Sequence, residues 1–184
     1  MMEGNFWRLI AKYSVTNLSG VPYNYEMMLR LGIDRLKLSS ITKMTQAGGK
    51  LEIDKIKQIS KALHSKKIKF YLMYGQTEAT ARMSYLPPEE ISNKPGSIGK
   101  AIPNGKLWIE DKDGSSINQV NSIGELIYSG ENVSMGYSNM ISDLKLGDSN
   151  NGVLRTGDLA KFDSEGYFYI KGSTNRFIKI YGNR

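Results

Sequence analysis

The sequence predicts an α/β fold in two parts, a helix-and-strand layer followed by a small antiparallel sheet or barrel. Three observations carry this. Ile53, Ile56, Ile59 and Leu63 recur every three or four positions, which puts them on one face of a helix over residues 52–63. Residues 68–74 then form an almost unbroken apolar and aromatic run, the pattern of a strand buried on both faces and paired in parallel. Finally, 6 of the 19 glycines precede residue 93 and 13 follow it, so short strands and tight turns belong to the second half.

Taken in order, Gly20-Val21-Pro22 is a turn that opens a short helix over residues 23–31, with the fixed φ of Pro22 setting its entry. Pro87, Pro88, Pro95 and Gly96 make residues 84–99 a connection, and the domain boundary falls there, giving 1–92 and 93–184. Short strands follow over residues 106–111, 124–129, 159–163 and 167–171, each ended by a turn signal, with a hairpin at Asp163 to Gly166. Gly124, Gly130 and Gly136 read as barrel corners.

Composition removes several function classes. Hydrophobic residues at 40% and charged residues at 23% fit a globular chain. No apolar run approaches the roughly 18 residues that span a bilayer, so neither a transmembrane segment nor a signal peptide is expected and the location expected is cytoplasmic. With no cysteine and a single histidine, His64, thiolate metal sites and Ser-His pairs lose their residues. The net charge of +7 is concentrated in residues 1–92, which hold 14 Lys/Arg and 8 Asp/Glu. Lys55, Lys57, Lys61, Lys66, Lys67 and Lys69 surround the apolar helix face, and this reads as a solvated face rather than a nucleic-acid surface.

Three segments carry chemistry. Tyr74-Gly75-Gln76-Thr77-Glu78 directly follows the buried run, and ligands of α/β sheets bind beyond the carboxyl ends of strands. Tyr74 can face a base, Gly75 allows close backbone approach, the Thr77 hydroxyl can meet a phosphate, and Glu78 can hold a hard cation. The same five residues also make an ordinary capped turn. Gln46-Ala47-Gly48-Gly49-Lys50 can lie against a flat ligand or simply turn the chain. In Thr156-Gly157-Asp158-Leu159, Asp158 can accept two hydrogen bonds from a ribose diol, or stand in a turn before a strand.

In their order and spacing these segments resemble the adenylate-forming superfamily of acyl-CoA synthetases, aryl-acid ligases and peptide-synthetase adenylation domains. The matching residues are Val21-Pro22, Ala47-Gly48-Gly49-Lys50-Leu51, Tyr74 to Glu78, Pro95-Gly96-Ser97-Ile98-Gly99, Gly124-Glu125-Leu126 with Gly136-Tyr137, and Thr156 to Leu159 with Asp163 and Gly166-Tyr167. The continuation from Thr80 to Pro88 looks most like bacterial acyl-CoA ligases associated with cell-surface polysaccharide pathways. The resemblance implies that an acid and Mg-ATP form an acyl-adenylate with release of pyrophosphate, after which CoA or a carrier-protein thiol takes the acyl group. It implies that Gly48, Gly49 and Lys50 line one side of the adenine and Tyr74 the other, with Gly75 and Gln76 in the same nucleotide loop. Thr77 would contact phosphate, Glu78 would bind Mg²⁺, this pair being the catalytic one, and Asp158 would hold the ribose of ATP or AMP.

Departures from the family pattern are specific. Ser173 and Asn175 stand where the family's hinge has arginine and aspartate, with Arg176 one step away, and Leu72 stands where some members have an asparagine. No Ser/Thr/Gly-rich phosphate loop lies upstream, and the chain stops at Gly182-Asn183-Arg184, where the family's mobile C-terminal domain begins. The expectation is therefore the end of a mostly parallel α/β sheet subdomain, then a β-barrel subdomain and the edge of the hinge. Alone, such a chain is expected to be inactive, and a non-catalytic nucleotide-binding or interaction remnant is the alternative reading.

Overall fold

The computed structural model describes residues 4–174, which divide into two compact units, residues 4–73 with 86–96 and residues 74–85 with 97–174. The expectations for Asn175 and Arg176 lie outside the described residues.

The first unit begins with α1 (Gly4–Lys12) and β1 (Asn17–Gly20), followed by α2 (Pro22–Leu31), β2 (Lys43–Gln46), α3 (Ile53–Ser65) and β3 (Lys69–Tyr74). β1, β2 and β3 lie side by side and all parallel, with Asn17 opposite Lys43 and Lys43 opposite Lys69. Parallel neighbours need a crossover between them, and α2 and α3 supply the two. Pro22 stands in the first turn of α2, where its missing N–H has no helical partner to lose. Tyr25, Met28, Met44, Ile59, Leu63 and Phe70 are fully buried, with the Tyr25 and Phe70 rings 5.2 Å apart. Lys55 bonds Glu26 at 2.8 Å and Glu52 at 3.3 Å, tying α3 to α2.

The α3 face differs from expectation at its start. Ile56, Ile59 and Leu63 are buried, but Ile53, the first helical residue, is 40% exposed. Its Cδ1 lies 3.3 Å from where a Gly96 Cβ would stand. Three elements had no sequence expectation: α1, β1 and β2. The two strands are four residues each and partly polar, so their alternation is too short to register.

In the second unit, β4 (Ser84–Leu86) pairs antiparallel with β5 (Lys100–Ala101), so the expected connection over residues 84–99 starts as a strand. β6 (Lys106–Glu110), β7 (Gly124–Ser129), β8 (Val153–Phe162) and β9 (Phe168–Ser173) then form a four-stranded antiparallel sheet in chain order. Its buried face carries Leu107, Ile109, Leu126, Tyr128, Leu154, Ala160 and Phe168, packed with Ala79, Met83 and Val133. Aspartates close two of the turns. Asp111 Oδ1 accepts from the Asp113 and Ser115 amides, and Asp163 Oδ1 from the Glu165 and Tyr167 amides at 3.0 Å each, which forms the expected hairpin. Gly130 directly follows β7, and a Cβ there would stand 2.6 Å from the Tyr128 hydroxyl.

Tyr25 links folding to alkaline pH. Its hydroxyl donates to the Thr45 carbonyl at 2.7 Å, and burial pushes the phenol well above its ordinary value. An unfolded tyrosine titrates near about 10, so above that pH the unfolded chain sheds a proton that folded Tyr25 keeps. Stability from this group is complete below pH ~10 and falls as pH rises further. Tyr25→Phe should cost about 1 kcal/mol at neutral pH through the lost hydrogen bond, and should make the fall above pH ~10 shallower. Urea unfolding at pH 7, 10 and 11 checks both.

Candidate functional site

The site is built on an irregularity in β8. Arg155 pairs with Ile127 and Leu159 with Glu125, so Thr156, Gly157 and Asp158 together stand opposite Leu126 alone, two residues more than regular pairing allows. The three residues expected as a turn before a strand are thus a bulge inside one. The bulge is held by its hydroxyl and by several of its backbone groups. The Thr156 hydroxyl donates to the Leu126 carbonyl at 2.7 Å and accepts from the Asp158 amide at 3.1 Å. Gly157, at φ +67°, donates its amide to Glu125 Oε1 at 3.2 Å. Its carbonyl accepts from the Thr174 amide and hydroxyl, both at 2.8 Å, and from the Ser173 hydroxyl at 3.0 Å. Ser173 therefore straps the bulge from β9.

Behind the bulge lies a chain of charges. Arg155 bridges Glu125 at 3.0 Å and Glu110 at 2.7 Å, and Glu110 also accepts from the Trp108 indole at 2.7 Å. The Trp108 bond, followed by that of Arg155, holds the Glu110 carboxyl below its ordinary value.

The bulge turns the Asp158 carboxylate toward Tyr74 and Gln76. The Tyr74 hydroxyl donates to Asp158 Oδ2 at 2.7 Å, and Gln76 Nε2 donates to the same oxygen at 3.3 Å and to the Thr156 carbonyl at 2.8 Å. Burial first, and the Asp158 charge second, push the Tyr74 phenol far above its ordinary value, so it remains a donor throughout the neutral range. Two motifs more than 80 residues apart in sequence meet through these bonds.

From Tyr74 to Met83 the chain makes a closed loop. The Met83 amide returns to the Tyr74 carbonyl at 2.9 Å, and the Ala79 and Ala81 amides both bond the Gln76 carbonyl. Inside it, Thr77–Ala79 is a single 3₁₀ turn that leaves Thr77 exposed and Glu78 half-buried. Thr80 and Ala81 follow at φ +50° and +62°, in the left-handed region that non-glycine residues rarely enter. Gly75 is set by this closure, because a Cβ there would stand 2.5 Å from the Ala81 carbonyl oxygen. The segment after β7 cradles the loop. Ser134 donates its amide to the Glu78 carbonyl at 2.7 Å, the Tyr137 hydroxyl donates to the Glu78 carboxylate, and the Asn132 side chain donates to the Ala79 and Arg82 carbonyls. Asn132 carried no sequence expectation, since an Asn beside Gly130 looks like a turn residue.

Gly48, Gly49 and Lys50 belong to the first unit, where they are exposed beyond the carboxyl end of β2. Gly48 has φ +77°, and its would-be Cβ lies 3.2 Å from Val21, while that of Gly49 lies 3.1 Å from Pro22. The buried Gln46 side chain donates to the Ala47 and Gly49 carbonyls at 3.1 and 2.9 Å, fixing the loop. Among the described residues, no cluster of three or more Asp, Glu, His or Cys could hold a metal ion, and no helix is long and apolar enough to cross a membrane.

With this geometry in place, the profile of the AMP-binding enzyme family matches residues 1–138. The chain belongs to the AMP-binding enzyme family. It is 28% identical over 181 residues to the luciferin 4-monooxygenase of Luciola mingrelica, covering 98% of this chain and 32% of that enzyme. It is 29% identical to the oxalate–CoA ligase of Arabidopsis thaliana, covering 97% of this chain and 34% of the relative. The chain thus spans about a third of the length of these relatives. Among solved structures it superposes on the o-succinylbenzoate CoA synthetase of Bacillus subtilis with a TM-score of 0.79 at 28% identity, over 97% of this chain and 35% of that one. The same enzyme has been solved in complex with ATP and magnesium ion, and with AMP. The family includes AMP-forming acid–CoA ligases, and its α/β domain is the fold expected from the sequence.

The crowding at Gly75 is directly testable. Gly75→Ala must push the Ala81 carbonyl aside, and overpacking of this kind costs about 1 to 3 kcal/mol. The expected melting point is lower by roughly 2 to 10 °C, read by circular dichroism. A variant that melts with the unaltered chain would remove the steric account.

Proposed function

We propose that the chain supplies part of the nucleotide site of an acid-activating ligase. In that reaction a small carboxylic acid attacks the α-phosphorus of ATP, giving an acyl-adenylate and pyrophosphate, and the thiol of CoA or a carrier protein then takes the acyl group. The observation that carries the reading is the Tyr74–Asp158 hydrogen bond at 2.7 Å, which joins the two candidate nucleotide motifs within one unit.

Each residue has a role that its position supports. Asp158 Oδ2 is engaged by Tyr74 and Gln76, and Oδ1 is the oxygen offered to a ribose hydroxyl. Held by its hydroxyl, the half-buried Tyr74 ring keeps a fixed plane for the adenine. In the first unit by itself, the exposed glycines Gly48 and Gly49, followed by Lys50, make a loop surface on which a flat ring can lie. Exposed Thr77 offers its hydroxyl to a phosphate oxygen, next to Glu78. One carboxylate suits Mg²⁺, which takes few protein ligands and completes its octahedron with phosphate oxygens and waters. The ion neutralises charge developing on the phosphates when bound. For Glu78 to ligate it, the Tyr137 hydroxyl must share or yield the carboxylate.

Calorimetry with AMP tests the reading. Removing a charged hydrogen-bond partner costs about 1.5 to 3 kcal/mol, so Asp158→Ala should weaken AMP binding by roughly 10- to 150-fold. Unchanged affinity in a variant with an intact fold would confine Thr156, Gly157 and Asp158 to a structural role.

A further inference from the structure

The loop that bears Thr77 and Glu78 is anchored at both ends, by different means. At its start, Tyr74 and Gln76 bond Asp158 and Thr156. At its end, the Asn132 amide nitrogen donates to the Ala79 carbonyl at 2.7 Å and the Arg82 carbonyl at 3.0 Å, spanning the two left-handed residues Thr80 and Ala81. The Asn132 side-chain carbonyl accepts from the buried Tyr128 hydroxyl at 2.7 Å. Gly130 makes room for this arrangement, since a Cβ there would lie 2.6 Å from the Tyr128 hydroxyl and 2.7 Å from Asn132 Oδ1.

We propose that Asn132, held by Tyr128 and gripping the Ala79 and Arg82 carbonyls, is a positioning residue that sets Thr77 and Glu78 for the triphosphate and its magnesium. This rests on the nucleotide reading above. The side-chain chemistry is restrictive. Two carbonyls and one phenol require two donors and one acceptor on a single short side chain, which a carboxamide provides. Aspartate has no donor at neutral pH, serine has one, and glutamine is a methylene longer. A left-handed pair such as Thr80-Ala81 costs free energy at each residue and persists only where its surroundings dictate it. The Asn132 grip spans that pair. Because the adenosine end has separate anchors, loss of Asn132 displaces Thr77 and Glu78 while leaving Tyr74 and Asp158 bonded to each other.

The test uses the whole chain with Asn132→Ala and Asn132→Asp, the second keeping the acceptor for Tyr128. Calorimetry with adenosine and with Mg-ATP separates the two ends of the site. Mg-ATP affinity is expected to fall about 10-fold or more in both variants while adenosine affinity stays within about twofold. Without ligand, hydrogen exchange at the Ala79, Ala81 and Met83 amides is expected to accelerate about 10-fold or more, with β7 and β8 unchanged. Equal losses for both ligands, unchanged Mg-ATP affinity, or exchange accelerated equally across β7 and β8 overturns the assignment. Should the unaltered chain bind neither ligand, the nucleotide reading fails by itself, and the exchange measurement decides whether Asn132 positions the turn.

Discussion

Two residues in excess of the pairing register of β8 are the constraint on which the second unit turns. An antiparallel strand normally alternates its side chains between two faces, and Thr156 to Asp158 cannot do so against the single residue Leu126. The excess must leave the regular ladder, and each amide and carbonyl released from it needs another partner. Thr156, Glu125, Ser173 and Thr174 provide them. A bulge tied at these points has little freedom, so the Asp158 carboxylate is aimed by backbone geometry rather than by its own rotamer alone.

That fixed carboxylate then organises the loop after β3. Tyr74 must lie with its hydroxyl on Asp158, and Gln76 must reach the same oxygen, so the Tyr74–Met83 loop starts from a set direction. Its return passes so close to Gly75 that no side chain fits. The corner left between these restraints contains exposed Thr77 and half-buried Glu78. Preorganisation of this kind suits a site that works by positioning and electrostatics, because polar groups held in place need not reorganise when charge develops.

How much of this could be read from the residues depends on the length scale of each signal. The α3 helix and β3 strand were legible because burial repeats along them at a fixed period, and the one miss, Ile53, lies at the helix end, where the period no longer guarantees cover. β1 and β2 are four residues long and include Asn17, Ser19, Thr45 and Gln46, too short and polar to show a period. Tyr74, Glu78 and Asp158 could be picked out as residue types with a common chemistry. The bulge could not, because Thr-Gly-Asp has the composition of a turn and only pairing across to β7 shows that the strand continues through it. Asn132 was hidden for the same reason. Its partners, Ala79 and Arg82, are about 50 residues away and are backbone atoms, which no residue type advertises.

Gln46 and Asn132 share a physical device. Each stands beside a glycine-bearing turn, and each uses one carboxamide to hold two backbone carbonyls, Gln46 those of Ala47 and Gly49, Asn132 those of Ala79 and Arg82. An arginine or lysine could also donate twice, yet it would set a further positive charge against the Ala79 carbonyl, on the residue next to Glu78. A neighbouring cation stabilises a carboxylate but competes with any metal for its field. The neutral amide fixes the carbonyls and leaves the negative charge of Glu78 uncompensated by the clamp. In the role proposed for Glu78, that charge is what draws a divalent ion to the phosphate side of the site, so an uncharged clamp is the chemically consistent choice at position 132.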